Sequence, residues 1–404
     1  MFILLFLAIP LPIFPITSPT PLSVSISLTH FTNLHKPSTM SKLFTPLKVG
    51  DVTLSNRVVM APLTRFRADD SHVPLPFVAE YYTQRASYPG TLLISEATFI
   101  SPEAGGAFNV PGIYNDAQIA AWKKVTDSVH KNGSAIYLQL WALGRAAQAK
   151  VLKTELGDKG RVLAPSAVAF KGGDQPEEMT EEEIQAFIKA YAQGAKNAIA
   201  AGFDGVEIHS ANGYLIDQFL QDVSNKRTDA WGGSIEKRAR FGLEVAKAVV
   251  DAVGAEKTGI RLSPYSPFQG MKMAEPEPQF EYYVRELKKL KLSYLHLVLS
   301  RIAGNADVDA KETVDGLIEI WDNQSPVFIA GGFDGKLALK EVDKHTQDVG
   351  VVFGRYFISN PDLVFRVKEG IEFTPYDRNK FYNAKEESGY IDWPFSKEFN
   401  GAKL

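Results

Sequence analysis

The chain has 404 residues with 45% hydrophobic content, enough to bury the core of one α/β barrel with insertions or of two smaller domains. Its formal charge of −3 is spread along the sequence without a basic block, so nucleic acid is not an expected partner. There is no cysteine and no close pair of metal-ligating histidines, which excludes disulfides, thiolate zinc sites and iron–sulfur clusters and leaves redox chemistry to an organic cofactor.

Residues 1–39 differ in composition from the rest of the chain. An apolar run from Phe2 to Ile9 has no Lys or Arg before it, prolines interrupt the sequence from Pro10 onward, and Ser/Thr/Pro-rich sequence continues to Met40. A secretory signal needs a positive segment before its apolar core, and a membrane helix needs about 20 apolar residues. We therefore expect a disordered or wrongly annotated extension, a cytoplasmic location and no stable membrane insertion. A degenerate signal peptide is the alternative.

Globular patterning begins at Met40 with a short hairpin. Leu47–Leu54, with Gly50 and Asp51 at its turn, has the pattern of two paired strands. Eight apolar runs follow, and their near-continuous hydrophobicity indicates strands buried on both faces of a parallel sheet. They are Val58–Leu63, Thr91–Thr98, Ser134–Trp141, Phe203–His209, Gly259–Ser263, Ser293–Leu299, Val327–Ala330 and Val349–Phe353.

Helical segments separate these runs. A helix capped by Asp116 is predicted, as are a capping box at Thr180 and Glu183 and a helix that begins at Asn360-Pro361. Eight strands with interleaved helices predict a (β/α)8 TIM barrel, with the N-terminal β-hairpin at its bottom, as a single domain over residues 40–404. Long loops at the C-terminal face, at about 142–179, 264–278 and 300–312, are expected to shape the substrate pocket.

Polar side chains follow the fourth apolar run, at the point where parallel barrels build active sites. His209 and Asn212 could both donate a hydrogen bond to one oxygen atom, and Tyr214 could donate a proton beside it. Two donors that polarise an oxygen next to an acid suit chemistry on a carbonyl group or on an adjacent carbon. An ordinary polar loop after a strand is the alternative that this segment alone leaves open.

The ends of the other runs indicate an anionic cofactor. Gly332 follows the seventh run and Gly354-Arg355 the eighth, where barrels commonly bind a phosphate through backbone N–H groups and a guanidinium. The sequence has no GxGxxG motif, so flavin mononucleotide (FMN) fits better than a dinucleotide in a Rossmann-type site. Arg261 would then lie by the N1/O2 edge of the flavin, Gln139 would bond its pyrimidine edge, and Thr64 would donate to O4.

The segments that carry these residues resemble the old yellow enzyme family of flavin-dependent ene-reductases, over about Met40 to Trp393. The matching segments are Asn56–Arg65, Pro111–Tyr114, Gln139–Trp141, His209–Leu215, Ser224–Asp229, Trp231–Ser234, Phe353–Arg355 and Asn360-Pro361. The closing segments Tyr376–Arg378 and Gly389–Asp392 are similar to the fungal and plant branch.

The resemblance implies FMN as the cofactor, NADPH as its reductant, and an α,β-unsaturated carbonyl or nitro compound as its oxidant. His209 and Asn212 would hold the substrate oxygen, hydride from flavin N5 would reach the β-carbon, and Tyr214 would protonate the α-carbon. Trp141 and Tyr382 would lie near the substrate. The implied flavin contacts are Pro62, Thr64, Ala97, Gln139, Arg261, Gly332, Gly354 and Arg355. Many relatives carry glycine at Ala97, but that contact is through the backbone and we expect little effect.

Two alternatives stay open. The same flavin site could isomerise a double bond without net reduction, as a step in a secondary-metabolite pathway, or the barrel could bind a flavin or another ligand without catalysis. The phenol of Tyr214 favours reduction, and the intact His209, Asn212 and Arg261 argue against a loss of catalysis. The expected partner is a small-molecule enone or nitro substrate, no metal is expected, and a homodimer is left open.

Overall fold

A hairpin of two short strands, β1 (Leu47–Val49) and β2 (Val52–Leu54), precedes the barrel in the computed structural model, which describes residues 41–304, 306–307 and 311–402. The expectations for residues 1–39 lie outside this range and stay predictions. The hairpin turn requires glycine at Gly50, which has a φ of 53° and where a Cβ would lie 1.7 Å from the carbonyl oxygen of Glu256. Because Glu256 precedes a barrel strand, the hairpin covers the bottom of the barrel, as predicted.

Eight parallel strands close into a barrel in which each strand pairs with the next and the last pairs with the first. They are β3 (Val58–Met60), β4 (Leu92–Ile94), β6 (Ala135–Trp141), β9 (Gly205–Ser210), β10 (Thr258–Leu262), β11 (Tyr294–Val298), β14 (Val327–Ala330) and β15 (Val349–Phe353). A closed barrel leaves no strand edge unpaired, and almost every residue of these strands is buried. The prediction of a (β/α)8 barrel is therefore confirmed.

Helices surround the barrel, and further short elements lie in the connections. The longer helices are α1 (Val78–Arg85), α2 (Asp116–Lys131), α3 (Ala149–Leu156), α4 (Glu181–Ala200), α6 (Ile235–Val253), α7 (Pro276–Lys288), α8 (Asp315–Trp321), α9 (Gly335–Lys344) and α11 (Leu363–Glu369). The shorter elements are α5 (Leu215–Leu220), α10 (Arg355–Ser359), α12 (Lys397–Gly401), β5 (Thr98–Phe99), β7 (Leu163–Ala164), β8 (Glu177–Glu178), β12 (Ile302–Ala303) and β13 (Ala306–Asp307).

Helix α4 shows how the sequence specifies these elements. Thr180 and Glu183 form the predicted capping box, and the apolar side chains of Ile184, Phe187 and Tyr191 face the core.

Among the residues that the structure describes, no helix combines the length and hydrophobicity needed to cross a membrane. The cytoplasmic location and the homodimer stay predictions.

Several predicted element boundaries in the N-terminal half of the barrel are wrong: β3 ends at Met60 and not at Leu63, and β9 is Gly205–Ser210 and not Phe203–His209. Two more errors have a clear local cause. The run Thr91–Thr98 is not one strand, because β4 ends at Ile94 and the N–H of Glu96 donates to the Tyr82 hydroxyl instead of a neighbouring strand. The cap of α2 is Asn115, one residue earlier than predicted, where it forms a capping box with Gln118. Both errors arise from hydrogen bonds that compete locally with the predicted pattern.

The helix predicted to begin at Asn360-Pro361 begins instead at Leu363. Pro361 lies in the turn before it, and the carboxylate of Asp362 binds Arg366 and Ser396 instead of capping the helix. The prolyl ring therefore marks the turn and not the first helical position.

Candidate active site at the barrel mouth

A cavity of about 610 Å³ opens where the barrel strands end, a volume within the roughly 300–1,000 Å³ of small-molecule sites. Every residue that the sequence predicted to contact flavin or substrate lines this cavity. These residues are Pro62, Thr64, Ala97, Gln139, Trp141, His209, Asn212, Tyr214, Arg261, Gly332, Gly354, Arg355 and Tyr382. Their common location is an observation, whereas the contact that each makes with a ligand stays a prediction. Within the described part of the chain, no cluster of His, Asp and Glu could hold a metal ion.

Three aromatic rings form one corner of the cavity. The Tyr214 ring meets the rings of His209 and Trp141 edge-on, at centroid distances of 4.9 and 4.8 Å, and the latter two rings lie nearly parallel at 6.2 Å. Trp141 Nε1 and His209 Nδ1 are buried without a hydrogen-bond partner among the described residues. Buried polar atoms without a protein partner are rare in folded proteins, and a ligand-binding cavity is where they are expected.

A rigid turn after β9 presents Asn212 and Tyr214 to this corner. Asn212 has a φ of 56°, a left-handed conformation that asparagine tolerates better than most residues. Its N–H donates to Ser263 Oγ at 2.6 Å, and its carbonyl accepts from Gln269 Nε2 at 3.1 Å. The backbone N–H of Gly213 donates to the carboxylate of Asp217 at 2.8 Å. These bonds fix the backbone from both sides, and so fix the positions from which the two side chains enter the cavity.

The surroundings of the corner determine the protonation states there. Burial lowers the pKa of His209 well below its ordinary value, and the positive charge of Arg261, its neighbour on β10, lowers this pKa further. The imidazole is therefore neutral at neutral pH. Desolvation and the nearby Tyr382 raise the pKa of Tyr214 to about 12, so its phenol carries its proton.

The side chains predicted at the flavin ring come from strand ends on the same side. Gln139 Nε2 donates to the buried carboxylate of Glu207 at 2.7 Å, which leaves the amide oxygen of Gln139 for the cavity. Arg261 Nε donates to His296 Nε2 at 3.3 Å, and the guanidinium lines the cavity. An acceptor beside a positive charge matches the N3–H and the N1/O2 edge of a flavin, so these residues fit FMN.

Sequence reasoning missed Glu207 and His296. The available signal was a charged residue between Val206 and Ile208 and a histidine between Leu295 and Leu297, each within an apolar strand. Charged groups are almost never fully buried without partners, so Glu207 could have been singled out for its position alone.

The opposite end of the cavity is built from the loops after β14 and β15. Gly332 has a φ of 64°, and the Arg355 guanidinium makes two bonds of 2.7 Å with the carboxylate of Asp307. The Asp307 side chain is 62% exposed, and exposed ion pairs contribute only about 0–1 kcal/mol. A phosphate carries more charge than this carboxylate, so an anion bound here can share Arg355 or displace Asp307. No local pattern in the sequence singles out Asp307, because its pairing depends on the path of a loop.

Tyr382 reaches the cavity mouth from the C-terminal segment and is 48% exposed. Its ring packs 5.6 Å from that of Phe66. The preceding residue, Phe381, is fixed through its carbonyl, which accepts from Arg65 Nε at 2.8 Å and from Arg67 at 3.1 Å. Two buried arginines thus anchor the segment that carries Tyr382, which explains how a residue so distant in sequence lines the barrel mouth.

Comparison with known proteins gives consistent similarities. Residues 42–373 match the family model described as the NADH:flavin oxidoreductase / NADH oxidase family. The chain is 58% identical over 365 residues to a chanoclavine-I aldehyde reductase of Penicillium roqueforti, covering 90% of this chain and 99% of that protein. The solved structure of an old yellow enzyme from a Pichia species has a TM-score of 0.81 and 42% identity, covering 88% of this chain and 94% of that one. The solved structure of morphinone reductase in complex with tetrahydroNAD has a TM-score of 0.80 and 39% identity, covering 90% of this chain and 99% of that one.

Proposed function

The chain belongs to the NADH:flavin oxidoreductase / NADH oxidase family, as an old yellow enzyme that uses FMN and NADPH, and we propose that it reduces the C=C bond of α,β-unsaturated carbonyl compounds. The observation that carries the proposal is the position of His209, Asn212 and Tyr214 in one wall of the cavity that also contains Gln139 and Arg261. FMN, when bound there, supplies the hydride. The chain itself supplies the contacts to the substrate oxygen and the proton.

His209 and Asn212 bind the substrate carbonyl oxygen. As the β-carbon receives hydride, negative charge develops on this oxygen, and two fixed hydrogen-bond donors stabilise it. The neutral imidazole of His209 has one N–H to donate, and Asn212 donates from its amide. Because the backbone of Asn212 is held by Ser263 and Gln269, little reorganisation is needed during the reaction.

Tyr214 donates the proton that completes the reduction, to the α-carbon. Its pKa of about 12 keeps the phenol protonated at neutral pH. The edge-on contact with the His209 ring places it beside the proposed oxygen-binding group. This arrangement supports net reduction over an isomerisation, which returns the hydride and needs no added proton.

The walls around these groups indicate the class of substrate. Phe66, Trp141, Phe268 and Tyr382 line the cavity, and aromatic walls favour a flat, largely hydrophobic molecule. The relative from Penicillium roqueforti is named an aldehyde reductase, so an α,β-unsaturated aldehyde with an aromatic group is the first substrate class to test.

The test is to incubate the protein with NADPH and either an aromatic α,β-unsaturated aldehyde or 2-cyclohexenone, and to identify products by mass spectrometry. We expect loss of NADPH absorbance and a product heavier by two hydrogen atoms. A product of unchanged mass would replace the proposal by isomerisation. Bound flavin without any turnover would replace it by a ligand-binding barrel.

A further inference from the structure

A fully buried carboxylate lies inside the barrel below the cavity. Glu207, in the middle of β9, has no exposed surface and accepts three hydrogen bonds. Gln139 Nε2 donates to one oxygen at 2.7 Å, and the Tyr294 hydroxyl at 3.1 Å and His296 Nδ1 at 2.8 Å share the other. Burying a charge in a protein interior is strongly unfavourable unless partners compensate it. A large aliphatic residue would fill this site without that cost, so the carboxylate requires an explanation.

A glycine on a neighbouring strand provides the space that the Tyr294 ring of this network occupies. Gly259 on β10 lies in register between Glu207 on β9 and Tyr294 on β11. A Cβ at Gly259 would lie 2.2 Å from the Tyr294 ring, so only the absence of a side chain lets the ring occupy this space. The hydroxyl of Tyr294 therefore reaches a carboxylate two strands away.

The first effect of the network is on the orientation of the side-chain amide of Gln139. This residue is paired in register with Glu207. A carboxylate can only accept hydrogen bonds, so it must face the amino group of the Gln139 amide. The amide oxygen is thereby directed to the cavity as an acceptor. Without Glu207, the amide could rotate and present a donor at the same place.

The second effect of the network is on the orientation of Arg261, through His296. His296 Nδ1 faces the carboxylate and must carry a hydrogen, and burial lowers the pKa of His296, which keeps the ring neutral. Nε2 is then an acceptor for Arg261 Nε at 3.3 Å. This bond uses the Nε hydrogen of Arg261 and leaves its terminal amino groups for the cavity. The carboxylate also offsets part of the positive charge that Arg261 brings there.

We propose that Glu207 is a positioning residue that orients Gln139 directly and Arg261 through His296, and so sets the reduction potential of the bound flavin. The inference rests on the FMN site of the proposed function, and it assigns a role to residues that do not line the cavity. A reduced flavin carries negative charge at its N1/O2 edge, so its stability depends on how much positive charge lies there.

The first experiment measures the midpoint potential of the bound flavin in the Glu207→Gln holoenzyme. Removing the negative charge leaves Arg261 uncompensated and stabilises the reduced anion. We expect the potential to rise by about 30 mV or more, a tenfold change in a two-electron equilibrium. Flavin retention should also weaken, because the new amide places its amino group against a neighbouring donor.

The second variant, His296→Leu, keeps the carboxylate and removes the link to Arg261. The guanidinium then loses its acceptor and moves from its position, so positive charge at the cavity decreases. We expect the potential to fall, opposite in sign to the effect of Glu207→Gln. General loosening of the barrel would shift both variants in the same direction, so opposite signs separate positioning from a merely structural role.

Tyr294→Phe is the matched control, because it removes one hydrogen bond to the same carboxylate without touching Gln139 or His296. Its potential should stay near that of the wild type. Unchanged potentials in Glu207→Gln and His296→Leu, or shifts of the same sign, would overturn the proposal. The potential does not depend on the compound that is reduced, so this result can fail while the proposed function stands.

Discussion

At the end of the cavity formed by β6, β9 and β10, Gln139 and Arg261 are held by buried partners, whereas at the β14 and β15 end Arg355 is held by one largely exposed carboxylate. Glu207 and His296, which support the first end, have no exposed surface. Asp307, which supports the second, is 62% exposed and lies in a loop. A buried polar network holds one geometry, because each broken bond leaves an unsatisfied group. A surface ion pair contributes little and can exchange partners.

This difference matches what each end is proposed to do. At the β9 end, His209, Asn212 and Tyr214 must be oriented within fractions of an ångström for a reaction to proceed. At the β14 and β15 end, an anion needs only charge and accessible donors, so Arg355 can be occupied by Asp307 and still bind phosphate. Substitutions of His209, Asn212 or Tyr214 should therefore change rate constants, and those of Arg355 or Asp307 should change cofactor affinity.

The largest effect is expected for Tyr214→Phe, which removes only the hydroxyl. The oxidation of reduced enzyme by 2-cyclohexenone should slow by about 10²–10⁴-fold, the usual contribution of general-acid catalysis. Reduction of the flavin by NADPH should stay near wild type, because no substrate carbon is protonated in that step. Stopped-flow absorbance at the flavin band measures both steps.

Nitroalkenes serve as an internal control for Tyr214→Phe. They hold negative charge after hydride addition, so their reduction depends less on immediate protonation and should slow less. Equal slowing of the NADPH and enone steps would instead make Tyr214 a structural residue.

Intermediate effects are expected at the other end of the cavity, where Arg355→Ala and Asp307→Asn should act in opposite directions. Loss of a charge-assisted bond to phosphate costs about 1.5–3 kcal/mol, so Arg355→Ala should weaken FMN binding by roughly 10- to 150-fold. Asp307→Asn removes the competing carboxylate and should tighten binding by up to about fivefold. Titration of the apoprotein with FMN, followed by flavin fluorescence, measures both constants.

Weaker FMN binding in Asp307→Asn would show that this carboxylate supports the cofactor site and does not compete with it. The rate of enone reduction per bound flavin should be unchanged in Asp307→Asn. A changed rate would break the proposed division between the two ends of the cavity.

The smallest effect is expected from pH between 6 and 10. Tyr214 donates a proton in its neutral form, so its contribution is present below its raised pKa of about 12 and is lost only as pH rises through that value. An ordinary phenol, with a pKa of about 10, would lose half of its activity at pH 10. Because the pKa of His209 is well below its ordinary value, the plot of rate constant against pH should show no inflection near the ordinary pKa of histidine. The rate constant for enone reduction should therefore vary by less than about twofold over this range.

The sequence by itself determined the barrel and the place of the candidate site. Hydrophobic runs such as Val349–Phe353 and Val327–Ala330 match the strands to the residue, because a strand buried on both faces must be apolar throughout. His209, Arg261 and Gly354-Arg355 were recognisable because parallel strands of a barrel end at the same face. These inferences depend only on local pattern and on one general property of the fold.

Only the tertiary structure decided which partners these residues have. The bonds of Glu207 with Gln139 and His296 join three strands, and their existence depends on strand register and on the space at Gly259. The pairing of Arg355 with Asp307 depends on the path of a loop. Local sequence pattern fixes which residues are buried, but side chains distant in sequence meet only once the packed backbone sets the distances between them.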